Sequence, residues 1–305
     1  MRVQQVGLAA LAAVFLALPP AWADVFGTGA NEFTIPFVAI SGGTNPTDTS
    51  PSGGYGIVDY DYRMGVYQIT NAQWDAFRAE SGLSLGSSAW LGDDIPVNKR
   101  SWFQAAHFVN WLNISTDRQA AYQFDGQGDF VPWNAADAWG GTNLYRHKNA
   151  FYFLPTEDEW VKAAYFNGAE LQTWATTDDS EPVAGTDSNY GQSASYDGPW
   201  AVGSGSEELI GTFDMMGNVF EWLESPFSDS GYGPDAARGL RGGSFGSPLS
   251  YLAVSDRNHF GAPEWEFHVI GFRVASAIPE PGSATMLLAG AVGLLLWRRR
   301  RRAGP

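Results

Sequence analysis

Apolar residues recur at helical spacing in three stretches, and each stretch begins with the pattern of a capping box. In this box a Ser or Thr side chain and a Glu or Gln side chain three positions later bond to each other's backbone N–H groups. The boxes occupy residues 70–73, 101–104 and 156–159, and the first helix should end near Gly82. The inward-facing residues that the spacing predicts are Trp74 and Phe77 in the first helix, Phe103, Ala106, Val109 and Leu112 in the second, and Trp160, Ala163 and Ala164 in the third.

Alternating apolar and polar positions predict two early strands. Residues 33–40 form the first strand, and Pro36 favours an edge position because proline has no N–H group for a sheet ladder. Residues 60–69 form the second strand. Residues 114–150 and 173–210 have no strong period. We expect an elaborated hairpin or loop over residues 114–150 and a long irregular connection over residues 173–210. A connection of that length is usually functional, or is held in place by a group such as a metal ion.

The beginning of the chain has the pattern of a secretory signal. Arg2 supplies the positive charge near the N-terminus, and the run from Val6 to Leu18 is apolar. Ala21-Trp22-Ala23 matches the pattern of small residues at a signal-peptide cleavage site. An ordinary buried helix is the alternative for the apolar run. The pattern predicts a signal peptide over residues 1–23 and a mature chain that begins at Asp24.

The end of the chain has a second targeting pattern. Pro279-Glu280-Pro281 precedes an apolar run from Ala284 to Trp297, and five arginines follow, Arg298 to Arg302. The run is short for a helix that spans a membrane, but the arginines would keep that end in the cytoplasm. Residues 279–305 resemble the PEP-CTERM sorting signal of Gram-negative bacteria, which an exosortase recognises. A plain membrane anchor is the alternative, and in either case the domain would face outward.

Composition narrows the class of protein. The 305 residues include 13 Trp, 19 Phe and 12 Tyr, ample for a packed core, and 36 Gly, which indicate many turns. The net charge is −15, and it falls to −20 for residues 24–278 because six arginines and one glutamate lie outside that range. So acidic a surface argues against nucleic acid or an anionic membrane as a partner. The chain has no cysteine, which excludes disulfides and thiol chemistry.

Two stretches carry the most distinctive motifs, Gly-Thr-Phe-Asp-Met-Met-Gly-Asn-Val-Phe-Glu-Trp at 211–222 and Arg-Gly-Leu-Arg-Gly-Gly-Ser-Phe at 238–245. In the first, Gly217 lets the backbone turn sharply. Oxygen donors on a tight turn are what a hard cation such as Ca²⁺ prefers, and a structural turn beside a buried aromatic strand is the alternative. The oxygen donors among the apolar residues here are Asp214, Asn218 and Glu221.

With Gly271-Phe272-Arg273 near the end of the domain, these stretches resemble the formylglycine-generating enzyme, or sulfatase-modifying factor, family. Its signatures read Gly-Asn-Val-Trp-Glu-Trp, Arg-Gly-Gly-Ser and Gly-Phe-Arg, and Phe220 stands here in place of the first Trp. The resemblance covers residues 33–276 and implies one α+β domain of C-type-lectin-like fold, rich in irregular loops, over residues 24–278. Four upstream pieces agree with the family in order: Tyr62-Arg63-Met64-Gly65, Ile69-Thr70-Asn71, Pro96-Val97-Asn98 and Leu154-Pro155-Thr156-Glu157.

The resemblance also implies structural calcium at two sites. The second site needs an acidic partner further along its loop, where Asp197 is the only acidic residue before Glu207. The implied ligands are the side chains of Asp214 and Glu221 with the carbonyls of Gly217 and Val219 in the first site, and Asn189 and Tyr190 in the second.

For catalysis, the resemblance points to two positions, three and eight residues after the Ser of Arg-Gly-Gly-Ser. The family's enzymes have cysteines there, whereas this chain has Ser247 and Leu252. A hydroxyl does not bind Cu(I) as a soft thiolate does, so the sequence argues against copper and against oxidation of a substrate cysteine by the family's route. Ser244 remains near the family's substrate cleft, with no evident base to activate it. No pair of the four histidines has the i, i+4 spacing of metal ligands: His107, His147, His259 and His268.

These observations predict an exported protein of the cell surface or extracellular matrix, non-catalytic or chemically diverged, whose cleft at Ser244 and Ser247 binds a peptide or a glycan. The alternatives are a formylglycine-generating oxidoreductase that acts on sulfatase cysteines and a structural component of the matrix. The expected partners are an exosortase-type enzyme, the peptide or glycan ligand, and the membrane, transiently, through the C-terminal segment. No nucleic acid is expected.

Overall fold

The computed structural model describes residues 22–191, 198–228 and 231–278, which form a single domain of mixed helix and strand. Long irregular segments separate short elements, as the glycine content predicts. The helices are α1 (Asn71–Ser81), α2 (Trp102–Ile114) and α3 (Glu157–Tyr165). The strands are β1 (Trp22–Phe26), β2 (Phe33–Ile40), β3 (Tyr62–Gly65), β4 (Ala138–Trp139), β5 (Asn143–His147), β6 (Tyr152–Phe153), β7 (Phe220–Pro226), β8 (Arg238–Arg241), β9 (Phe260–Gly261), β10 (Ile270–Gly271) and β11 (Ala275–Ala277).

The described strands form two main sheets and a hairpin. The larger sheet has the order β1-β2-β3-β11-β6, so the last strand of the domain lies between β3 and β6. The smaller sheet has the order β10-β7-β8-β9, in which β10 runs parallel to β7 and the other pairs are antiparallel. Strands β4 and β5 pair with each other. Because β7 and β8 carry the two motif stretches, the smaller sheet holds them side by side.

The three predicted capping boxes are confirmed. In each of them the first side chain accepts from the backbone three positions later, and the reciprocal bond is also present. Helix α1 ends at Gly82, whose φ of 68° lies in the left-handed region that glycine adopts without strain. The predicted inward residues are buried, except Phe103, which is partly buried and packs against the edge of the core.

The edge position predicted for residues 33–40 is wrong, because β1 lies outside β2 in the sheet. Pro36 is tolerated inside the sheet because Val66, the residue opposite it just after β3, finds another hydrogen-bond donor. The Pro36 carbonyl accepts from Val66 N–H at 2.9 Å, and the Val66 carbonyl accepts instead from Phe213 N–H at 3.0 Å. The N–H group that Pro36 lacks is therefore supplied by Phe213, in a loop 147 residues beyond Val66.

The other expectations of secondary structure hold in outline. The strand predicted over residues 60–69 is shorter, at Tyr62–Gly65, and residues 114–150 contain the β4–β5 hairpin. The described part of residues 173–210 has no helix or strand, only isolated bridges such as Asn189 with Gly217.

The predicted sorting signals fall almost entirely outside the described residues. Residues 1–21 and 279–305 are not among the described residues, and β1 begins at Trp22. Cleavage after Ala23 would remove the first two residues of β1 and leave Asp24, which pairs with Arg63, at the new N-terminus. Among the residues that the structure describes, no helix is long and apolar enough to cross a membrane.

Candidate functional site

A cleft of about 650 Å³ opens where β8 leads into the Arg-Gly-Gly-Ser stretch. Its walls come from this loop, from the short 3₁₀ helix Leu249–Leu252 and from the residues before β10. The loop folds back because Gly243, with a φ of 74°, adopts a conformation that side chains rarely allow. The cleft residues that matter below are Ser244, Phe245, Ser247, Tyr251, His268 and Val269.

The two positions that correspond to the family's cysteines lie close together beside Gly243, in the loop that borders this cleft. A Cβ atom added to Gly243 would lie 2.9 Å from Leu252 Cδ1 and 3.5 Å from Ser247 Oγ. Leu252 is fully buried and belongs to the core that α3 covers, whereas Ser247 lies at the base of the cleft. The two positions are therefore close together in this chain, where they carry a hydroxyl and an alkyl group.

The hydroxyls of the cleft are used within the loop itself. Ser247 Oγ accepts from Ser244 N–H at 2.9 Å and lies 3.2 Å from Ser244 Oγ. In return Ser247 N–H donates to the Ser244 carbonyl at 2.9 Å. Neither hydroxyl has a histidine or carboxylate among these contacts, so the arrangement stabilises the turn and gives no activated nucleophile.

A histidine and an aspartate, which the sequence analysis left without a role, pair beside this cleft. His259 Nδ1 lies 2.8 Å from Asp256 Oδ2, and the imidazole packs at 4.2 Å from the ring of Tyr251, a cleft residue. The same imidazole lies 4.8 Å from the ring of Phe220, at the position of the family's Trp. The spacing of three residues between Asp256 and His259 is the only signal in the sequence that could have suggested this pair.

The structure places Glu221, the main side chain of the first implied calcium site, in a fully buried ion pair. Its Oε2 accepts from Arg273 Nε and Trp160 Nε1, each at 2.7 Å. Its Oε1 accepts from Arg273 Nη2 at 2.7 Å and Gln68 Nε2 at 3.0 Å. A carboxylate has about four lone-pair sites, so these four bonds leave none for a cation.

Two other implied ligands of the first site, the Val219 carbonyl and the Asp214 carboxylate, accept hydrogen bonds from groups of the protein. The Val219 carbonyl accepts from Gln68 Nε2 at 2.9 Å. Asp214 Oδ2 accepts from Gly203 N–H at 2.8 Å, and burial raises the pKa of Asp214 to about 6. Gly217 donates its N–H to the Gly242 carbonyl at 2.7 Å, which ties the two motif stretches together. This arrangement of donors does not fit a divalent cation.

The second implied site is described only in part. Asn189 is buried, and its Nδ2 lies 3.2 Å from both Asn218 Oδ1 and the Gly198 carbonyl. The Tyr190 hydroxyl donates to the Pro182 carbonyl at 2.7 Å. Asp197 lies outside the described residues, so this calcium site stays a prediction. Among the described residues, no group of three or more His, Asp or Glu side chains could hold a metal ion.

Glu208 is a buried carboxyl that the sequence analysis did not single out. Its two oxygens accept from the backbone N–H groups of Met215 and Met216, each at 3.0 Å. Burial raises the pKa of Glu208 to about 8, so this carboxyl is largely protonated at neutral pH. Its role is to hold the turn before Gly217, and it adds little negative charge near Glu221.

Comparisons with known proteins agree with this architecture. The sequence model of the sulfatase-modifying factor enzyme 1-like domain matches residues 34–278. The chaperone protein LppX of Paenibacillus barcinonensis is 24% identical over 249 residues, which cover 74% of this chain and 84% of that protein. Hercynine oxygenase of Mycolicibacterium thermoresistibile is 26% identical over 273 residues, and the match covers 79% of this chain but only 57% of that enzyme.

Two solved structures share the fold. Treponema denticola variable protein 1 superposes with a TM-score of 0.60 at 24% identity, covering 84% of this chain and 99% of that one. CarF superposes with a TM-score of 0.56 at 23% identity, covering 72% of this chain and 88% of its own. At this level of identity the likeness concerns the fold alone.

Proposed function

The chain belongs to the sulfatase-modifying factor enzyme 1-like family, and from that premise we propose that it is a binding protein rather than an oxidoreductase. The observation that carries the proposal is the chemistry of the cleft. The cleft has the size of a ligand site, yet Ser247 and Leu252 offer no thiolate at its base. We propose that the domain has the C-type-lectin-like fold of its family and presents this cleft to a ligand.

A segment of polypeptide is the ligand that the observations favour. The relative LppX is named a chaperone, a class of protein that binds other polypeptides, and 84% of its length matches this chain. The cleft also combines an exposed imidazole, His268, with the partly buried side chains of Tyr251 and Val269. Such a mixture of apolar and polar groups suits an extended peptide with alternating side chains.

A glycan is the second candidate because of two exposed aromatic side chains next to the cleft. Trp265 is 40% exposed and Phe267 is 49% exposed, and their rings lie 5.3 Å apart immediately before His268. Exposed aromatic rings of this kind offer apolar faces to a partner, with polar groups nearby to fix its orientation.

Arrays of peptides and glycans, probed with the purified protein, test the proposal. For a peptide ligand, we expect His268→Ala to weaken binding about tenfold, which corresponds to the loss of one good contact of about 1.4 kcal/mol. Ile114→Ala changes an exposed residue on α2 and serves as the control. Binding that depends on Trp265 but not on His268 would identify the glycan candidate, and binding to neither array would refute the proposed function.

We further propose that the protein is exported, with a signal peptide over residues 1–23, the domain over residues 24–278 and a PEP-CTERM signal over residues 279–305 that an exosortase processes. The support is the order of charged, apolar and small residues at both ends. The intact mass of protein recovered from the cell surface should correspond to a chain that begins at Asp24 and lacks Arg298–Arg302. A retained signal peptide or an intact arginine tail would contradict the corresponding half of this proposal.

A further inference from the structure

We propose that the side-chain amide of Gln68, beside the Glu221–Arg273 ion pair, takes the place of the first calcium ion, so that this part of the domain is held together without a metal. The resemblance implies an ion bound by Glu221, Asp214 and the carbonyls of Gly217 and Val219. In this chain, the acceptors on Glu221 and Val219 are already satisfied by donors that the protein itself supplies.

The amide of Gln68 lies at the centre of three oxygens. Its Nε2 is 2.9 Å from the Val219 carbonyl, 3.0 Å from Glu221 Oε1 and 3.1 Å from the Asp214 carbonyl. The amide oxygen, by contrast, is buried without a partner. These contacts determine which end of the Gln68 amide is the nitrogen. If the amide were flipped, its oxygen would lie about 3 Å from three other oxygens, with no proton to form a hydrogen bond.

The guanidinium of Arg273 neutralises the carboxylate. It binds Glu221 through two parallel bonds of 2.7 Å, and the side chains of both residues are fully buried. The same guanidinium donates to the Gly65 and Phe213 carbonyls at 3.0 and 2.9 Å. A bidentate pair with its remaining donors satisfied is the geometry in which a buried ion pair is best tolerated.

This charge balance leaves nothing for a divalent ion to compensate. Ca²⁺ takes about six to eight oxygen ligands, several of them carboxylates. At Glu221 the one carboxylate is balanced by Arg273, and the Asp214 carboxylate is directed to Gly203 N–H and, at 3.4 Å, to Trp200 Nε1. An ion on Glu221 Oε1 would also lie close to the guanidinium in a dry interior, where the repulsion of like charges is strong.

The consequence concerns the cleft. Gly217, in the turn that Gln68 supports, donates to the Gly242 carbonyl at the start of the loop that contains Ser244 and Ser247. A turn held by Gln68 and Arg273 keeps this connection at any calcium concentration. We therefore expect the cleft to have the same geometry in media that contain calcium and in media that do not.

Thermal melting in excess Ca²⁺ and in chelator tests the proposal. The wild-type melting temperature should be the same in both. Gln68→Glu replaces the donor by a fourth oxygen, so it should melt lower than wild type in chelator and regain about 5 to 10 °C in calcium at 100 times its Kd. Gln172→Glu makes the same change at another buried glutamine and should show no recovery in calcium.

Two results would overturn the proposal. One is a Gln68→Glu protein that melts no lower than wild type in chelator, since the amide would then not be holding the three oxygens. The other is a calcium-induced rise in wild type that persists in Asn189→Ala, because that rise would come from the site at Glu221. A rise that disappears in Asn189→Ala would belong to the second implied site and would leave the site at Glu221 metal-independent, as proposed.

Discussion

Replacement of Arg146 by methionine is expected to lower the melting temperature by at least about 10 °C, or to prevent folding altogether. Arg146 is fully buried and binds two carboxylates that are also fully buried. Its Nη1 and Nη2 donate to the two oxygens of Glu159 at 2.8 Å, and its Nε donates to Glu224 at 2.9 Å. These bonds connect β5, α3 and β7, so one side chain joins the hairpin, a helix and the smaller sheet.

The expected size of the effect follows from what the substitution leaves behind. Breaking a buried ion pair by removing one partner costs about 3 to 5 kcal/mol. Here methionine would leave two carboxylates, of which Glu224 keeps the Tyr122 hydroxyl at 2.7 Å and Glu159 keeps the Tyr60 hydroxyl at 2.6 Å. A domain of ordinary stability, about 5 to 15 kcal/mol, would lose a large part of its margin.

Two comparisons separate charge from packing. Lys148→Met removes a largely exposed ion pair with Asp137, and its effect should stay within about 1 kcal/mol. The triple variant Arg146→Met, Glu159→Gln, Glu224→Gln keeps the shape without the charges, and it should recover a good part of the lost stability. A protein with Arg146→Met that melts within a few degrees of wild type would contradict the interpretation of this cluster.

Local signals were readable in the sequence, and distant contacts were not. The capping boxes at Thr70, Ser101 and Thr156 involve residues three positions apart, so the sequence alone predicted all three helices. The partners of Arg146, by contrast, are 13 and 78 positions away. The edge prediction for Pro36 failed for the same reason, since the donor that replaces its missing N–H group comes from Phe213.

The candidate site shows the same division. The motif stretches and the resemblance singled out Ser244, Ser247 and Leu252, and the structure places Ser247 and Leu252 close together beside Gly243. The partners of Glu221 could not be read from the motif, because Gln68 lies 153 positions away and Arg273 lies 52 positions away. A motif in the sequence shows which residues could be ligands of a site. The hydrogen-bond donors that those residues contact come from distant parts of the chain, so they are known only from the complete fold.

Incubation of the protein with copper, oxygen, a reductant and a sulfatase-type cysteine peptide is expected to give no formylglycine above a control without protein. The reaction of the family needs a pair of thiolates, which form far more readily than alkoxides near neutral pH. Ser247 Oγ is engaged with Ser244 N–H, Leu252 is an alkyl group in the core, and no cysteine exists elsewhere in the chain. Mass spectrometry of the peptide measures the outcome, and conversion that depends on the protein would contradict this prediction.

The double variant Ser247→Cys, Leu252→Cys asks whether the cleft still has the shape for copper. Because both side chains approach the same point above Gly243, two thiols placed there should bind Cu(I), which prefers soft sulfur ligands. Ser247→Cys alone is the matched control, since one thiol should bind more weakly. Truncation of a core leucine to alanine costs about 2 to 5 kcal/mol, and cysteine fills only part of the space, so folding should be verified by melting before copper is added. The opposite outcome is a folded double variant that binds Cu(I) no more tightly than the single variant does. In that case the cleft differs from that of the family's enzymes in more than these two side chains. A peptide or glycan ligand then explains the cleft better than a lost oxidase activity does.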